Sequence, residues 1–133
     1  MNLLIDTNII LEIILNQERA EEARRLFSDP NDHSFFISDF SLHSVGVFFF
    51  KRNQKVFFRQ FLIDVIKKLG ITVDQLPIDA HENMIEIADK FNLDFDDSYQ
   101  YAVAEQFYLT LVSFDSHFDK TDLKRKTPGQ LIR

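Results

Sequence analysis

A chain of 133 residues with 45% hydrophobic content fits one compact domain that buries roughly two-thirds of its unfolded surface. Without a cysteine it can form neither a disulfide framework nor a thiolate zinc site, and thiol redox catalysis is excluded. Lys and Arg total 15 against 21 Asp and Glu, a net charge of −6. That is the wrong sign for holding nucleic acid mainly through counterion release, so a nucleic-acid substrate needs a local basic rim or a metal. The start, Met1-Asn2-Leu3-Leu4-Ile5-Asp6, lacks a basic region and reaches a charge too early for a signal peptide. No apolar run approaches the ~18 residues of a membrane span, and the expected location is the cytoplasm, with no membrane partner. Phe is heavy at 15 residues, in runs such as Phe48-Phe49-Phe50 and Phe57-Phe58; part of it is expected to face a partner, because aromatic residues are enriched in interface cores.

Leu3 to Ile5 reads as a first strand, and Thr7 to Leu15 as a largely buried helix that Asp6 or Thr7 can cap. Gln17 to Ser28 follows as an amphipathic helix, with Ala20, Ala23, Leu26 and Phe27 at helical spacing, ended by Asp29-Pro30-Asn31-Asp32. Phe35-Phe36-Ile37 is a second strand. Ser38 or Asp39 can cap a third helix to about Lys51, with Leu42, Val45, Phe48 and Phe49 on one face. A fourth spans Gln54 to Leu69 and stops at Gly70 in the C′ position, before a short strand Ile71-Thr72-Val73. Asp79, with Glu82 three residues on, makes a capping-box pattern that opens a fifth helix to about Phe91. Ser98 to Phe107 is a sixth helix and Leu109 to Ser113 the last strand, while Thr127-Pro128 opens a small terminal helix. Strands alternating with helices, without repeat or linker, predict one α/β domain over residues 1–133, with a mostly parallel sheet between two helical layers.

The aspartates fall at element boundaries. Asp6 closes the first strand, Asp115 follows the last, and Asp94, Asp96 and Asp97 crowd the start of the sixth helix. In open α/β sheets the crevice outside the carboxyl ends of the strands is where ligands sit. Carboxylates gathered there repel one another unless a cation joins them, and Mg²⁺ or Mn²⁺ prefers such hard oxygen ligands. Each acid also has a plain structural role open to it: Asp6 as a helix cap, Asp94, Asp96 and Asp97 as an acidic helix start, Asp115 as a turn residue. With glycines only at 46, 70 and 129, the glycine-rich phosphate loops are ruled out. The four histidines show no i, i+4 pair of the helical zinc type, and only His117, two residues past Asp115, is expected near the acids.

Three segments carry a resemblance to a known family: Leu-Leu-Ile-Asp-Thr-Asn-Ile-Ile at 3–10, Asp-Phe-Asp-Asp-Ser-Tyr-Gln-Tyr-Ala-Val-Ala at 94–104, and Leu-Val-Ser-Phe-Asp-Ser-His-Phe at 111–118. In this order they resemble the PIN-domain ribonucleases, in particular the VapC-type toxins of toxin–antitoxin pairs. The resemblance implies a three-layer α/β/α sandwich, Mg²⁺ or Mn²⁺ as cofactor, hydrolysis of RNA, a cognate antitoxin and a homodimer. It carries catalytic and metal-binding roles onto Asp6, Asp97 and Asp115, with Asp94 and Asp96 as further candidate ligands, and supporting roles onto Thr7, Asn8 and Ser113. One departure stands out: Ser44 occupies the place of the family's third-helix glutamate, so that Asp39, Asp94 or Asp96 would have to substitute for it. Lys51, Arg52, Lys55 and Arg59, or Lys120 with Lys124-Arg125-Lys126, are candidates for an RNA-binding rim, or else an ordinary solvated face. The competing reading is a PIN-fold binding module with a vestigial pocket. A phosphatase of the haloacid-dehalogenase kind also starts from an aspartate after the first strand, but it needs a second acid two residues on, where this chain has Asn8.

Overall fold

The computed structural model describes residues 1–28 and 33–132, so the expected helix-ending segment Asp29-Pro30-Asn31-Asp32 lies outside the described residues. The elements run β1 (Asn2–Ile5), α1 (Thr7–Ile14), α2 (Ala20–Ser28), β2 (Ser34–Ser38), α3 (Asp39–Lys51), α4 (Lys55–Phe61) and β3 (Thr72–Asp74). They continue with α5 (His81–Phe91), α6 (Phe95–Gln106), β4 (Thr110–Val112) and α7 (Pro128–Leu131). The four strands form one sheet in the order β3-β2-β1-β4, and every pairing is parallel. All carboxyl ends therefore open on one edge.

Period-two alternation assigns the side chains to layers. Leu3, Ile5, Phe35, Ile37 and Val112 turn to one face and pack with Ile9, Ala23, Leu26, Val45, Phe49 and Phe61 from α1 to α4. Leu4 and Leu111 turn to the other and pack with Met84, Ile87, Tyr101 and Val103 from α5 and α6. Burial on both faces explains why the strands read as continuous apolar runs. The layers match the expected sandwich.

Several boundaries differ from the sequence reading. Helix α6 starts at Phe95, not Ser98, because Asp94 is its N-cap and accepts from the Asp97 amide at 3.0 Å. The expected helix from Gln54 to Leu69 is α-helical only to Phe61 and continues as a π-helical stretch, Leu62–Lys67, which apolar periodicity cannot distinguish. Gly70 then takes a positive φ of 64°, as a C′ glycine does. The Asp79/Glu82 capping box does not form: Ile78–Ala80 is a 3₁₀ turn, and α5 is preceded by Ala80 with no side-chain cap. Of the two cap candidates for α3, Ser38 is the one used, accepting from the Ser41 amide at 3.0 Å. Ser38→Ala is thus expected to cost about 1 kcal/mol, whereas Asp79→Ala stays within about 0.5 kcal/mol of wild type; urea unfolding of both variants checks the contrast.

Candidate metal centre at the carboxyl edge of the sheet

The parallel strands bring Asp6, at the end of β1, and Asp115, just beyond β4, to the same edge. Helix α6 starts over that edge and adds Asp97 from its first turn. The topology thus brings residues 6, 97 and 115 to one edge of the sheet. One ligand atom each of Asp97, Asp115 and His117 lies within 4.8 Å of the others. His117 Nδ1 is 3.2 Å from Asp97 Oδ2 and 3.1 Å from Asp115 Oδ1, so the ring stands between two carboxylates. The side chains of Asp97 and Asp115 are largely enclosed, while His117 is 64% exposed.

Asp6 sits behind this triplet rather than within it. Its Oδ1 accepts from the Thr7 amide at 2.8 Å and Gln100 Nε2 at 3.0 Å, and its Oδ2 accepts from Ser113 Oγ at 2.7 Å. Burial is the main reason its carboxyl is held above the usual range; the bonds from Ser113, Gln100 and Thr7 oppose the shift, and the charge of Asp115 adds to it. Burial likewise pushes Asp97 up to about 6. The His117 hydrogen bond works against that rise, and the charges of Asp115, Asp94 and Asp6 reinforce it. Burial is thus what chiefly makes these acids resist ionisation, and their charges on one another add to it.

Ser113 ties the site together. Its hydroxyl donates to Asp6, accepts from Asn8 Nδ2 at 3.1 Å, and accepts from the Asp115 amide at 2.9 Å. Asn8 Oδ1 in turn accepts from the Phe114 amide at 3.3 Å. Thr7 Oγ1 lies 2.8 Å from Ser41 Oγ, on α3. Two residues went unnoticed in the sequence, Gln100 and Ser41. Gln100 Nε2 donates to Ser41 Oγ at 2.7 Å as well as to Asp6. For Gln100 the available signal was a polar residue inside the otherwise aromatic and apolar run Tyr99 to Ala104.

The remaining candidates lie elsewhere. Asp94 is committed to capping, and Asp96 is exposed in the first turn of α6. Asp39 accepts from Tyr99 OH at 2.7 Å and from the Phe40 amide at 2.8 Å, so it is engaged away from the acid triplet. Ser44 lines a recess with Phe40, Val47, Lys51 and Arg52. Arg52 lies over the Phe48 ring at 3.5 Å, and Lys55 over Phe50 at 5.2 Å. Lys120 donates to the Asn92 carbonyl, whereas Arg125 pairs with Asp119 and donates to the Ser113 carbonyl at 3.2 Å. Of the Phe runs, Phe49 and Phe61 fill the core, and Phe50 and Phe57 are exposed.

A parallel α/β/α sandwich with acids at its carboxyl edge matches a known family. The model of the PIN domain covers residues 3–124, and the chain belongs to the PIN-domain family. No curated protein matches the sequence. Among solved structures, the chain is similar to a toxin–antitoxin complex from Klebsiella pneumoniae, with a TM-score of 0.71 and 23% identity over 95% of this chain and 97% of that one. It is also similar to VapC20 from Mycobacterium tuberculosis, a sarcin-ricin loop cleaving toxin, with a TM-score of 0.70 and 16% identity over 85% and 89% of the two chains. VapBC2 from Rickettsia felis, bound to a promoter DNA fragment, gives a TM-score of 0.70 at 14% identity, covering 94% and 96%. At these identities the likeness is one of fold. No described helix is long and apolar enough to cross a membrane.

Proposed function

We propose that this chain, acting as a single domain in the cytoplasm, is a metal-dependent endoribonuclease and the toxin of a toxin–antitoxin pair. The carrying observation is the Asp97, Asp115 and His117 triplet, backed by buried Asp6. Carboxylate oxygens are the donors that Mg²⁺ and Mn²⁺ prefer, and the charges of Asp115, Asp94 and Asp6 that add to the burial-driven rise at Asp97 are ones a cation would offset. Asp97 and Asp115 are the residues to hold the cation, with Asp6 contributing from behind. When bound, the ion supplies the positive charge that offsets the charge building on the phosphate in the transition state.

The chain's own residues do the rest. Ser113, Gln100 and the Thr7 amide fix the direction of Asp6, and Ser113 also orients the backbone that carries Asp115. His117 Nδ1 stands between the Asp97 and Asp115 carboxylates at the mouth of the pocket. In this reading Lys51, Arg52 and Lys55, all exposed, are the cations that meet RNA phosphates. The exposed Phe50 and Phe57 give an antitoxin or a second copy of the chain apolar area to cover.

Cleavage of an RNA pool in Mn²⁺ tests the reading. Activity is expected with wild type, is expected to vanish in chelator, and should fall at least ~100-fold in Asp115→Asn. Equal activity in all three would remove the site. Growth arrest on expression, relieved by the same substitution, tests the toxin half. A second reading, a binding module without catalysis, draws on one observation: Ser44 lines a separate recess, and Asp39 is bonded to Tyr99 and lies outside the acid triplet. It predicts no cleavage and weak Mn²⁺ binding.

A further inference from the structure

Gln100 lies on α6 three residues beyond Asp97, on the same side of the helix, and is 1% exposed. Its Nε2 is doubly engaged, with Asp6 Oδ1 at 3.0 Å and Ser41 Oγ at 2.7 Å. Its Oε1 is buried and has no partner among the described residues. A carbonyl oxygen stripped of water without a donor is costly, and native interiors leave few of them. Exchanging the two ends of the amide gives no relief. An oxygen in place of Nε2 would face the carboxylate oxygen of Asp6 at 3.0 Å, and the nitrogen would become the orphan instead. The Asp6 carboxylate thus fixes the orientation, and Oε1 stands ready for a donor that the protein does not supply.

We propose that Gln100 is a positioning residue of the cation site: its Nε2 locks the Asp6 carboxylate, and its Oε1 accepts a hydrogen bond from water that the divalent cation brings in. The inference rests on the metal-dependent reading above. Mg²⁺ and Mn²⁺ bind with several waters retained, and water polarised by a dication is a stronger donor than bulk water. An amide suits this position because it is neutral. The three carboxylates already outweigh a dication, and a fourth acid here would set an anion against Asp6.

The test is Mn²⁺ titration of chelator-stripped protein, read from the paramagnetic resonance of free Mn²⁺, beside melting with and without the ion. Gln100→Leu is expected to stay folded and to bind Mn²⁺ ~10–100-fold more weakly, as loss of a supporting hydrogen bond does at metal sites. Gln100→Glu is expected to melt below wild type in chelator and to show a larger Mn²⁺-induced rise. A folded Gln100→Leu that binds within about twofold of wild type would overturn the proposal and leave Oε1 with an ordinary structural water. Should Gln100→Leu not fold, Gln100→Glu decides: a Mn²⁺-induced rise no larger than that of wild type overturns it. Wild type that binds no Mn²⁺ would overturn the metal reading too, whereas binding by wild type unaffected by either substitution removes only the assignment of Gln100.

Discussion

Asp97→Asn is expected to melt higher than wild type in chelator while losing at least ~100-fold in metal-dependent cleavage. The two effects share a cause. Burial, reinforced by the charges of Asp115, Asp94 and Asp6 and opposed by His117, raises the Asp97 carboxyl from 3.8 to about 6. The folded state therefore binds this proton more tightly than the unfolded chain does. The stabilisation is full below about 3.8 and is lost as pH rises through about 6. Above that window the ionised carboxylate costs the metal-free fold about 1–2 kcal/mol, after discounting for solvent at the pocket mouth. Asparagine keeps the shape and drops the charge, which raises the melting temperature by roughly 3–8 °C. Calorimetry in chelator should show wild type gaining on the variant as pH falls from about 6 towards 3.8, with little change above that range. Mn²⁺ should reverse the order at neutral pH, since only wild type has the full donor set. A variant that melts at or below wild type in chelator would show that favourable contacts of the Asp97 carboxylate, such as that to His117, outweigh the cost of its ionisation.

Asp6 and Asp115 were legible because each follows a strand that composition makes unambiguous. Leu3 to Ile5 and Leu109 to Val112 are apolar enough to read as buried parallel strands, and parallel strands share a carboxyl edge. Once Asp6 and Asp115 close neighbouring strands, their convergence follows from topology. The partners that hold them were not legible. Gln100 reaches Asp6 across 94 residues, and Ser113 reaches it across 107; no local pattern encodes a side-chain bond of that range. The resemblance singled out Ser113, but not that one hydroxyl serves Asp6, Asn8 and Asp115 at once. Asp39 illustrates the same limit, because its engagement depends on Tyr99 arriving from α6, 60 residues away. Local motifs failed for a different reason: Asp79 and Glu82 have capping-box spacing, yet the 3₁₀ turn at Ile78–Ala80 puts Ala80 at the start of α5. Asp94, read as a candidate ligand, is the residue that caps its helix.

Ser113→Ala should be among the most damaging single-atom deletions in the molecule. Ser113 is fully buried, and its oxygen is bonded to Asp6 Oδ2, Asn8 Nδ2 and the Asp115 amide. Removing it strips the buried Asp6 of one of its three donors and leaves a backbone N–H and an amide donor without their acceptor. Each such group costs about 1–3 kcal/mol when water cannot reach it. Asn8 is only half-buried and recovers some solvation, so the expected total is about 2–4 kcal/mol by urea unfolding. Asn8→Ala, which spares the Asp6 and Asp115 bonds, is expected to cost nearer 1 kcal/mol. The sign opposes that of Asp97→Asn: one substitution relieves the acid cluster, and the other exposes it. With Asp6 unbraced and the turn at Asp115 freed, cleavage should also fall roughly tenfold or more at fixed Mn²⁺, as it does when a supporting hydrogen bond to a metal ligand is lost. Stability within about 0.5 kcal/mol of wild type would mean that a water takes the hydroxyl's place, and that Asp6 and Asp115 are oriented by their remaining bonds.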